Sequence, residues 1–407
     1  MTVTLLPRES VKILLLENIH ATAAAVFESE GFRVERVSSA LKEDELCERI
    51  RNVHFLGIRS KTRVTKRVLE HAEHLQAIGA FCIGTNQIDL VAANACGVPA
   101  FNAPFSNTRS VAEMIIGEIV FLARQMGDRS REVHEGRWRK VSNGCFEVRG
   151  KTLGIIGYGH IGSQVGVLAE AMGMRVISYD IRSTMAIGNA HAVDSLDELL
   201  GVADFVTLHV PETTQTKNMI GEAELAKMKS GAYLLNASRG TVVVIPALAA
   251  ALRGGHLAGA AIDVYPEEPE TNSDGFISEL RGLSNVILTP HVGGSTEEAQ
   301  AAIGKEVSVA LSRYYVQGAT TGAVNFPQAE LPLPQDAHRI LNVHQNVPGV
   351  LRDINRIVSE RNANIQGQLL ATDNEIGYLL MDLEENVVHE VSADIAALKT
   401  SLKTRIL

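Results

Sequence analysis

The chain is poor in the residues that would commit it to a disulfide scaffold, a membrane or a nucleic acid. Only four of its 407 residues are cysteine (Cys47, Cys82, Cys96 and Cys145), and no two form a C-x-x-C pair. Neither a disulfide framework nor a zinc site is expected; the thiols read as reduced, and no metal is assigned. No uninterrupted apolar run approaches the roughly 18 to 20 residues that span a bilayer. Met1 to Ser10 lacks the apolar core of a signal peptide, so no membrane partner is expected and a cytoplasmic location is the default. Positive charge is also scarce: 38 Lys and Arg against 47 Asp and Glu give a net charge of −9, which argues against a nucleic-acid surface. Any anionic substrate must therefore be drawn in by a local basic patch.

What is present describes a globular α/β protein. Hydrophobic content of 45% and charged content of 21% fit a soluble chain, and 407 residues suggest two or three domains. The most informative stretch is Thr152-Leu-Gly-Ile-Ile-Gly157-Tyr158-Gly159-His160-Ile161-Gly162. A G-x-G-x-x-G alone is weak, yet here an apolar strand runs into it, and Ile161, Val165, Leu168 and Ala169 follow at helical spacing. Gly157 permits the tight turn, Gly159 lets backbone approach a pyrophosphate, Gly162 lets helix pack on strand, and the helix N-terminus faces the anion. The next strand, Arg175–Tyr179, ends in Asp180, 18 positions beyond Gly162, where a carboxylate accepts from the adenosine ribose hydroxyls. NAD is favoured over NADP, with Arg182 as the one neighbour able to accommodate a 2′-phosphate.

Around this motif the pattern alternates strand and helix. Strands are expected at Lys12–Leu16, Phe32–Val37, Phe55–Ile58 and Leu75–Phe81 before it, and near Phe205–Val210, Ala232–Ala237, Ala260–Tyr265 and Asn285–Thr289 after it. The spacing predicts two parallel sheets covered on both faces, one in each of two doubly wound domains. A helix over Val111–Met126 is apolar around most of its circumference, which calls either for burial within one subunit or for a subunit interface. The helix from near Thr296 is expected to return the chain to the first domain. Pro327, Pro332 and Pro334 mark a linker, followed by strand (Arg339–Val343), helix (Pro348–Arg361), strand (Asn364–Ala371), strand (Ile376–Leu383), helix (Ser392–Leu402) and a short last strand.

Three strands of the second sheet end in reactive groups: Ser238-Arg239-Gly240, Asp263 with Glu268 after it, and Pro290-His291. Ligands of open parallel sheets sit at the carboxyl ends of strands, so Arg239, Glu268 and His291 are candidates for one crevice. Their types suit hydride exchange at a 2-hydroxy acid: a guanidinium fork for the carboxylate, an imidazole for the hydroxyl proton, and a carboxylate to fix the imidazole.

The segments Gly157–Gly162, Asn236-Ala-Ser-Arg-Gly-Thr241 and Thr289-Pro-His-Val-Gly-Gly-Ser-Thr296 resemble the D-isomer-specific 2-hydroxyacid dehydrogenases, and the match covers nearly the whole chain. Ile83-Gly-Thr-Asn86-Gln-Ile-Asp89 and Asn102–Ser110 are similar to the branch that oxidises 3-phosphoglycerate to 3-phosphohydroxypyruvate in L-serine synthesis. The resemblance implies Arg239, Glu268 and His291 as the catalytic set. It implies NAD held by Gly157, Tyr158, Gly159, His160, Ile161, Gly162, Asp180, His209, Pro211 and Asp263. For the substrate it implies Arg59, Ser60, Lys61, Asn86 and Lys140, the last in the basic run Arg137-Trp138-Arg139-Lys140, which reads equally as solvated charge. Two cations and a hydroxyl at 59–61 suit a phosphate dianion.

The carboxyl-terminal order resembles a βαββαβ ACT domain, which implies L-serine as an effector at His344, Asn346 and Asn364, or else a purely oligomerising role. The implied domains are 1–106 with 297–326 for substrate, 107–296 for NAD and 335–407 for regulation. A homo-oligomer is expected, paired through the NAD domain and tetrameric through the ACT modules. The competing readings are a related dehydrogenase of another hydroxy acid and a non-catalytic NAD or amino-acid sensor on the same fold.

Overall fold

The structure is a computed structural model and describes residues 7–182, 185–269, 275–333 and 337–407. Pro334 of the expected linker, residues 335–336 of the expected third domain and the first six residues of the segment read for a signal peptide lie outside those residues. By packing, the chain divides into two compact units, Met1–Ser106 with Gln300–Leu407, and Asn107–Ala299.

In the first unit β1 (Lys12–Leu15), β2 (Arg33–Arg36), β3 (Phe55–Ile58), β4 (Ala77–Ala80) and β5 (Ala100–Asn102) form a parallel sheet in the order β2-β1-β3-β4-β5. β3 and β4 are buried at every position, as continuous apolar strands covered on both faces must be. One face packs on the helices Ala21–Ser29 and Glu297–Gln317 through Phe27, Val307, Leu311 and Tyr315. Gly79 is needed there: a Cβ on it would lie 2.7 Å from the Val307 side chain.

The same unit carries an antiparallel sheet of β13 (His338–Gln345), β14 (Ile365–Thr372), β15 (Ile376–Leu383) and β16 (Ser401–Ile406), in the order β14-β15-β13-β16. Its helices are Val350–Glu360 and Glu385–Ala396, completing βαββαβ; the second starts well before the expected Ser392. Both faces of the central strand β15 are buried, while the edge strand β14 is partly exposed. Leu379, Met381 and Leu383 of β15 face the two helices, and Tyr378 and Leu380 join the core of the parallel sheet with Phe101 and Tyr314. Arg339 on β13, only 2% exposed, makes a bidentate pair with Asp382 and donates to the carbonyls of Gln317, Leu331 and Pro332. A buried charge is tolerated because every donor has a partner.

The second unit holds β6 (Thr152–Ile156), β7 (Arg175–Tyr179), β8 (His191–Ala192), β9 (Phe205–Leu208), β10 (Ala232–Asn236), β11 (Leu257–Ile262) and β12 (Val286–Leu288) in the order β12-β11-β10-β9-β6-β7-β8, all parallel. The direction of winding reverses between β6 and β9, which puts the ligand crevice at their carboxyl ends. The long apolar helix runs Thr108–Ala123, three residues ahead of expectation, and stops where Gln125 turns left-handed at φ 51°. One stripe is buried, while Phe121 is 46% exposed within its own chain.

Candidate active site

The strand β6 passes directly into the glycine turn. Gly157 sits at φ +90°, and a Cβ there would lie 2.5 Å from the His209 carbonyl. A Cβ on Gly162 would meet the Gly157 carbonyl at 2.2 Å, whereas one on Gly159 would meet nothing within 4 Å. The loop is closed against backbone at two glycines, that of His209 at Gly157 and its own at Gly162, and open at the third, a cradle that fits a pyrophosphate. The helix His160–Ala171 starts from Gly159 without a side-chain cap.

Asp180 after β7 accepts from the Tyr158 N–H at 2.8 Å and the Arg182 N–H at 2.9 Å, which fixes its carboxylate beside the turn. His209 follows β9. Burial lowers its imidazole to about 3, its Nε2 meets Thr207 Oγ1 at 3.0 Å, and its buried Nδ1 has no partner among the described residues. A neutral ring with an unmet nitrogen at the strand switch suits a cofactor contact. Ile161 is partly buried and Pro211 exposed. These features fit NAD.

At the ends of β10, β11 and β12 the structure brings Glu268 and His291 together, with Nδ1 to Oε2 at 2.8 Å and to Oε1 at 3.1 Å. The hydrogen bond to Glu268 raises the His291 pKa above its ordinary value, and the nearby charge of Arg239 opposes that rise. Burial pushes the Glu268 carboxyl up, but His291 and the Tyr265 N–H outweigh it, and its net shift is downward. Arg239 stands in a turn clamped by Asn236, which accepts from the Ser238 N–H and hydroxyl and donates to the Arg239 carbonyl. Gly240 is obligatory beside it, since a Cβ would fall 1.9 Å from the Tyr265 carbonyl carbon.

Asp263, expected among the NAD contacts, directly follows β11. Its carboxylate, 1% exposed, is taken up by the Thr289 hydroxyl and the N–H groups of Val292 and Gly293, at 2.6 to 2.9 Å. It braces the loop that carries His291, whose own N–H donates to the Asp263 carbonyl.

A scan against family models matches residues 116–293 to the D-isomer specific 2-hydroxyacid dehydrogenase NAD binding domain and residues 340–403 to an AHAS small subunit-like ACT domain. The chain is 56% identical over 404 residues to a D-3-phosphoglycerate dehydrogenase of Dictyostelium discoideum, covering 99% of both. The chain belongs to the D-isomer specific 2-hydroxyacid dehydrogenase family. A D-3-phosphoglycerate dehydrogenase of Escherichia coli K12 is 50% identical, covering 99% of this chain and 98% of that protein. Among solved structures, a D-lactate dehydrogenase from Aquifex aeolicus complexed with NAD and lactic acid aligns with TM-score 0.67 and 25% identity, over 78% of this chain and all of that one (100%). As a D-2-hydroxyacid dehydrogenase the protein uses NAD, and its nucleotide unit is the part described above.

The other expected substrate residues of this dehydrogenase fall in two places. Arg59, Ser60 and Lys61 form the loop leaving β3, with Ser60 and Lys61 exposed; Asn86 is exposed after β4; Lys140 is exposed in the second unit. In the ACT module His344 is buried on β13, with Nδ1 on Asn342 Oδ1 at 2.9 Å, and Asn346 donates to the Asp373 carbonyl at 2.6 Å. Asn364 is not brought to them. His344 pairs opposite Gly377 of β15, and Asn364 precedes Ile365, opposite Leu383. Those levels on β15 are about 20 Å apart at roughly 3.3 Å per residue.

Sequence reasoning missed Glu118, Gln87 and Glu17, all buried. Burial and the charge of Asp263 push Glu118 up to about 8, and its Oε1 has no partner among the described residues. Its only sequence signal is an acid inside an apolar helix stripe.

Proposed function

We propose that this dehydrogenase oxidises the C2 hydroxyl of 3-phosphoglycerate to 3-phosphohydroxypyruvate, the opening step of phosphorylated L-serine synthesis. The observation that carries the chemistry is the His291–Glu268 pair at 2.8 Å next to the charge of Arg239. The full-length likeness to relatives bearing that activity in their names supports the substrate.

Arg239 holds the substrate carboxylate by its planar fork. His291 takes the C2 hydroxyl proton; with Nδ1 engaged by Glu268, Nε2 is the basic nitrogen, and the carboxylate stabilises the ring once it is charged. The bound nicotinamide supplies the hydride acceptor. Arg59, Ser60 and Lys61 take the phosphate, with Asn86 and Lys140 as further contacts.

L-serine acts as effector through the ACT module. Because Asn364 lies a sheet length from His344 and Asn346, a serine touching all three draws on two copies, consistent with a homo-oligomer that also covers the exposed face of helix Thr108–Ala123. The division into 1–106 with 297–326, 107–296 and 335–407 belongs to the same reading.

Initial rates of NADH formation with 3-phosphoglycerate, D-glycerate, D-lactate and a 2-hydroxy diacid, with and without serine, test this. Preference for an unphosphorylated acid would move the chain to another branch of the family, and no NADH from any acid would leave a sensor. A serine titration that never slows the enzyme would leave the ACT module structural.

A further inference from the structure

β1 lies next to β3 in the first sheet, with Leu15 opposite Gly57, so the turn that follows β1 reaches the loop that follows β3. That turn carries Glu17, two residues beyond Leu15 and 8% exposed. Its Oε1 accepts from the N–H groups of Arg59 at 3.1 Å and Thr62 at 2.8 Å, and its Oε2 from that of Lys61 at 2.9 Å. Three of the four N–H groups of residues 59–62 therefore converge on one carboxylate.

The backbone around Glu17 is strained to make this possible. Glu17 and Asn18 are both left-handed, at φ 60° and 51°. Their N–H groups are tied to the Ser39 and Val37 carbonyls. Two consecutive non-glycine residues in that region persist only where their surroundings over-determine them. On the other side of the loop Gln87, buried at 7%, donates to the Arg59 carbonyl at 2.6 Å and to the Gly84 carbonyl at 3.1 Å. Asn102 in turn donates to the Ile83 carbonyl at 2.6 Å. The loops after β1, β3 and β4 and the end of β5 are thus one hydrogen-bonded assembly.

Convergent backbone N–H groups form an anion-binding concavity. Filling it with an internal carboxylate withholds it from substrate and leaves the side chains to meet an incoming dianion. We propose that Glu17 is a positioning residue of the substrate phosphate site: it fixes the backbone of 59–62 so that the Arg59 and Lys61 cations are presented together, with Gln87 as the opposing clamp. The inference rests on the assignment of Arg59 and Lys61 to the phosphate. Pre-organised cations gain affinity by not having to be ordered on binding. The effect is specific to the phosphorylated end of the substrate.

The test compares Glu17→Ala, Glu17→Gln and the double variant Arg59→Ala/Lys61→Ala in steady state with 3-phosphoglycerate and D-glycerate. Displacing a positioning loop by about 1 Å costs about 100-fold at the extreme, so KM for 3-phosphoglycerate is expected to rise about 10- to 100-fold in Glu17→Ala, with kcat within about threefold. Selectivity over D-glycerate falls by a similar factor. Glu17→Gln retains an acceptor for Arg59 and Thr62 but turns an NH2 toward the Lys61 N–H, and is expected to lie between wild type and alanine. Equal losses of kcat/KM on both substrates, in either variant, would make Glu17 merely structural and overturn the proposal, as would an unchanged KM. If the double variant keeps its phosphate selectivity, the assignment of Arg59 and Lys61 is wrong. If the double variant loses it and both Glu17 variants keep it, the positioning role alone fails.

Discussion

Two loops in this chain leave the carboxyl end of a parallel strand, and they are finished in opposite ways. After β3, residues 59–62 give three N–H groups to the carboxylate of Glu17. After β6, residues 157–162 spend the N–H groups of Gly157 and Tyr158 on the Tyr179 carbonyl and the Asp180 carboxylate, pack against backbone at Gly157 and Gly162, and leave Gly159 open where the next helix begins without a side-chain cap. An N–H cradle can be consumed by the protein or kept for a ligand. On the proposed reading, the loop after β3 leaves phosphate recognition to flexible cations, and the glycine turn leaves it to rigid backbone and the helix N-terminus.

The loop 291–293 is of the consumed kind, since Asp263 accepts from Val292 and Gly293. The backbone under His291 is therefore held by the protein and not by a ligand. His291→Ala is expected to lower kcat by about 10²- to 10⁴-fold, the usual worth of a positioned acid–base group, while NAD affinity in a fluorescence titration holds. A matching loss of NAD affinity would show that the loop needs its imidazole, and the comparison would break.

Glu118 is the opposite case: a buried carboxyl near the charge of Asp263, with an oxygen that has no partner among the described residues, pushed up to about 8. Its folded pKa lies above the unfolded value of 4.5, so the native state holds a proton that the unfolded chain releases between pH 4.5 and pH 8. Stability falls as pH rises through that window and is level above it. Glu118→Gln, which cannot ionise, is expected to gain a few kcal/mol at pH 8 and little at pH 4.5, read from denaturant midpoints. Equal effects at both pH values would mean that the acid is not protonated in the fold.

Gly159 sharpens the contrast from the open side. A methyl group there meets nothing of the protein within 4 Å, while one on Gly162 meets a carbonyl at 2.2 Å. Gly159→Ala is expected to leave Tm within about 2 °C and to weaken NAD about tenfold, because its methyl occupies the approach reserved for phosphate. Gly162→Ala is expected to lower Tm. Undiminished NAD affinity in Gly159→Ala would place the pyrophosphate elsewhere.

Which of these features the sequence revealed follows from how they are encoded. The glycine turn was legible because close approach demands a residue type at fixed spacing beside an apolar strand. Ser238-Arg239, Glu268 and His291 were legible as strand ends, but the 2.8 Å separation of Glu268 and His291 spans 23 positions and appears only in the structure. Glu17 was not legible at all: its partners lie 42 to 45 positions away, and an acid after a short strand looks like any solvated carboxylate. β8 was missed because two residues carry no periodicity. The apolar run of β15 was readable as a strand, yet nothing in it announced that Tyr378 and Leu380 share a core with Phe101.

The finest distinction concerns Glu268, which sets a charge where the loops above set a position. Its hydrogen bond is the largest cause of the raised His291 pKa. Oxidation needs the neutral imidazole, so kcat/KM for the hydroxy acid should climb with pH through a midpoint above the ordinary histidine value, and reduction of the oxo acid should fall through the same midpoint. Glu268→Gln keeps an acceptor for Nδ1–H and removes the charge. Its midpoint should move to lower pH, sparing oxidation at high pH and penalising reduction near neutrality. A pH profile that stays in place after this substitution would show that Glu268 acts by geometry alone, as proposed for Glu17, and the difference between holding a loop and tuning a proton would vanish.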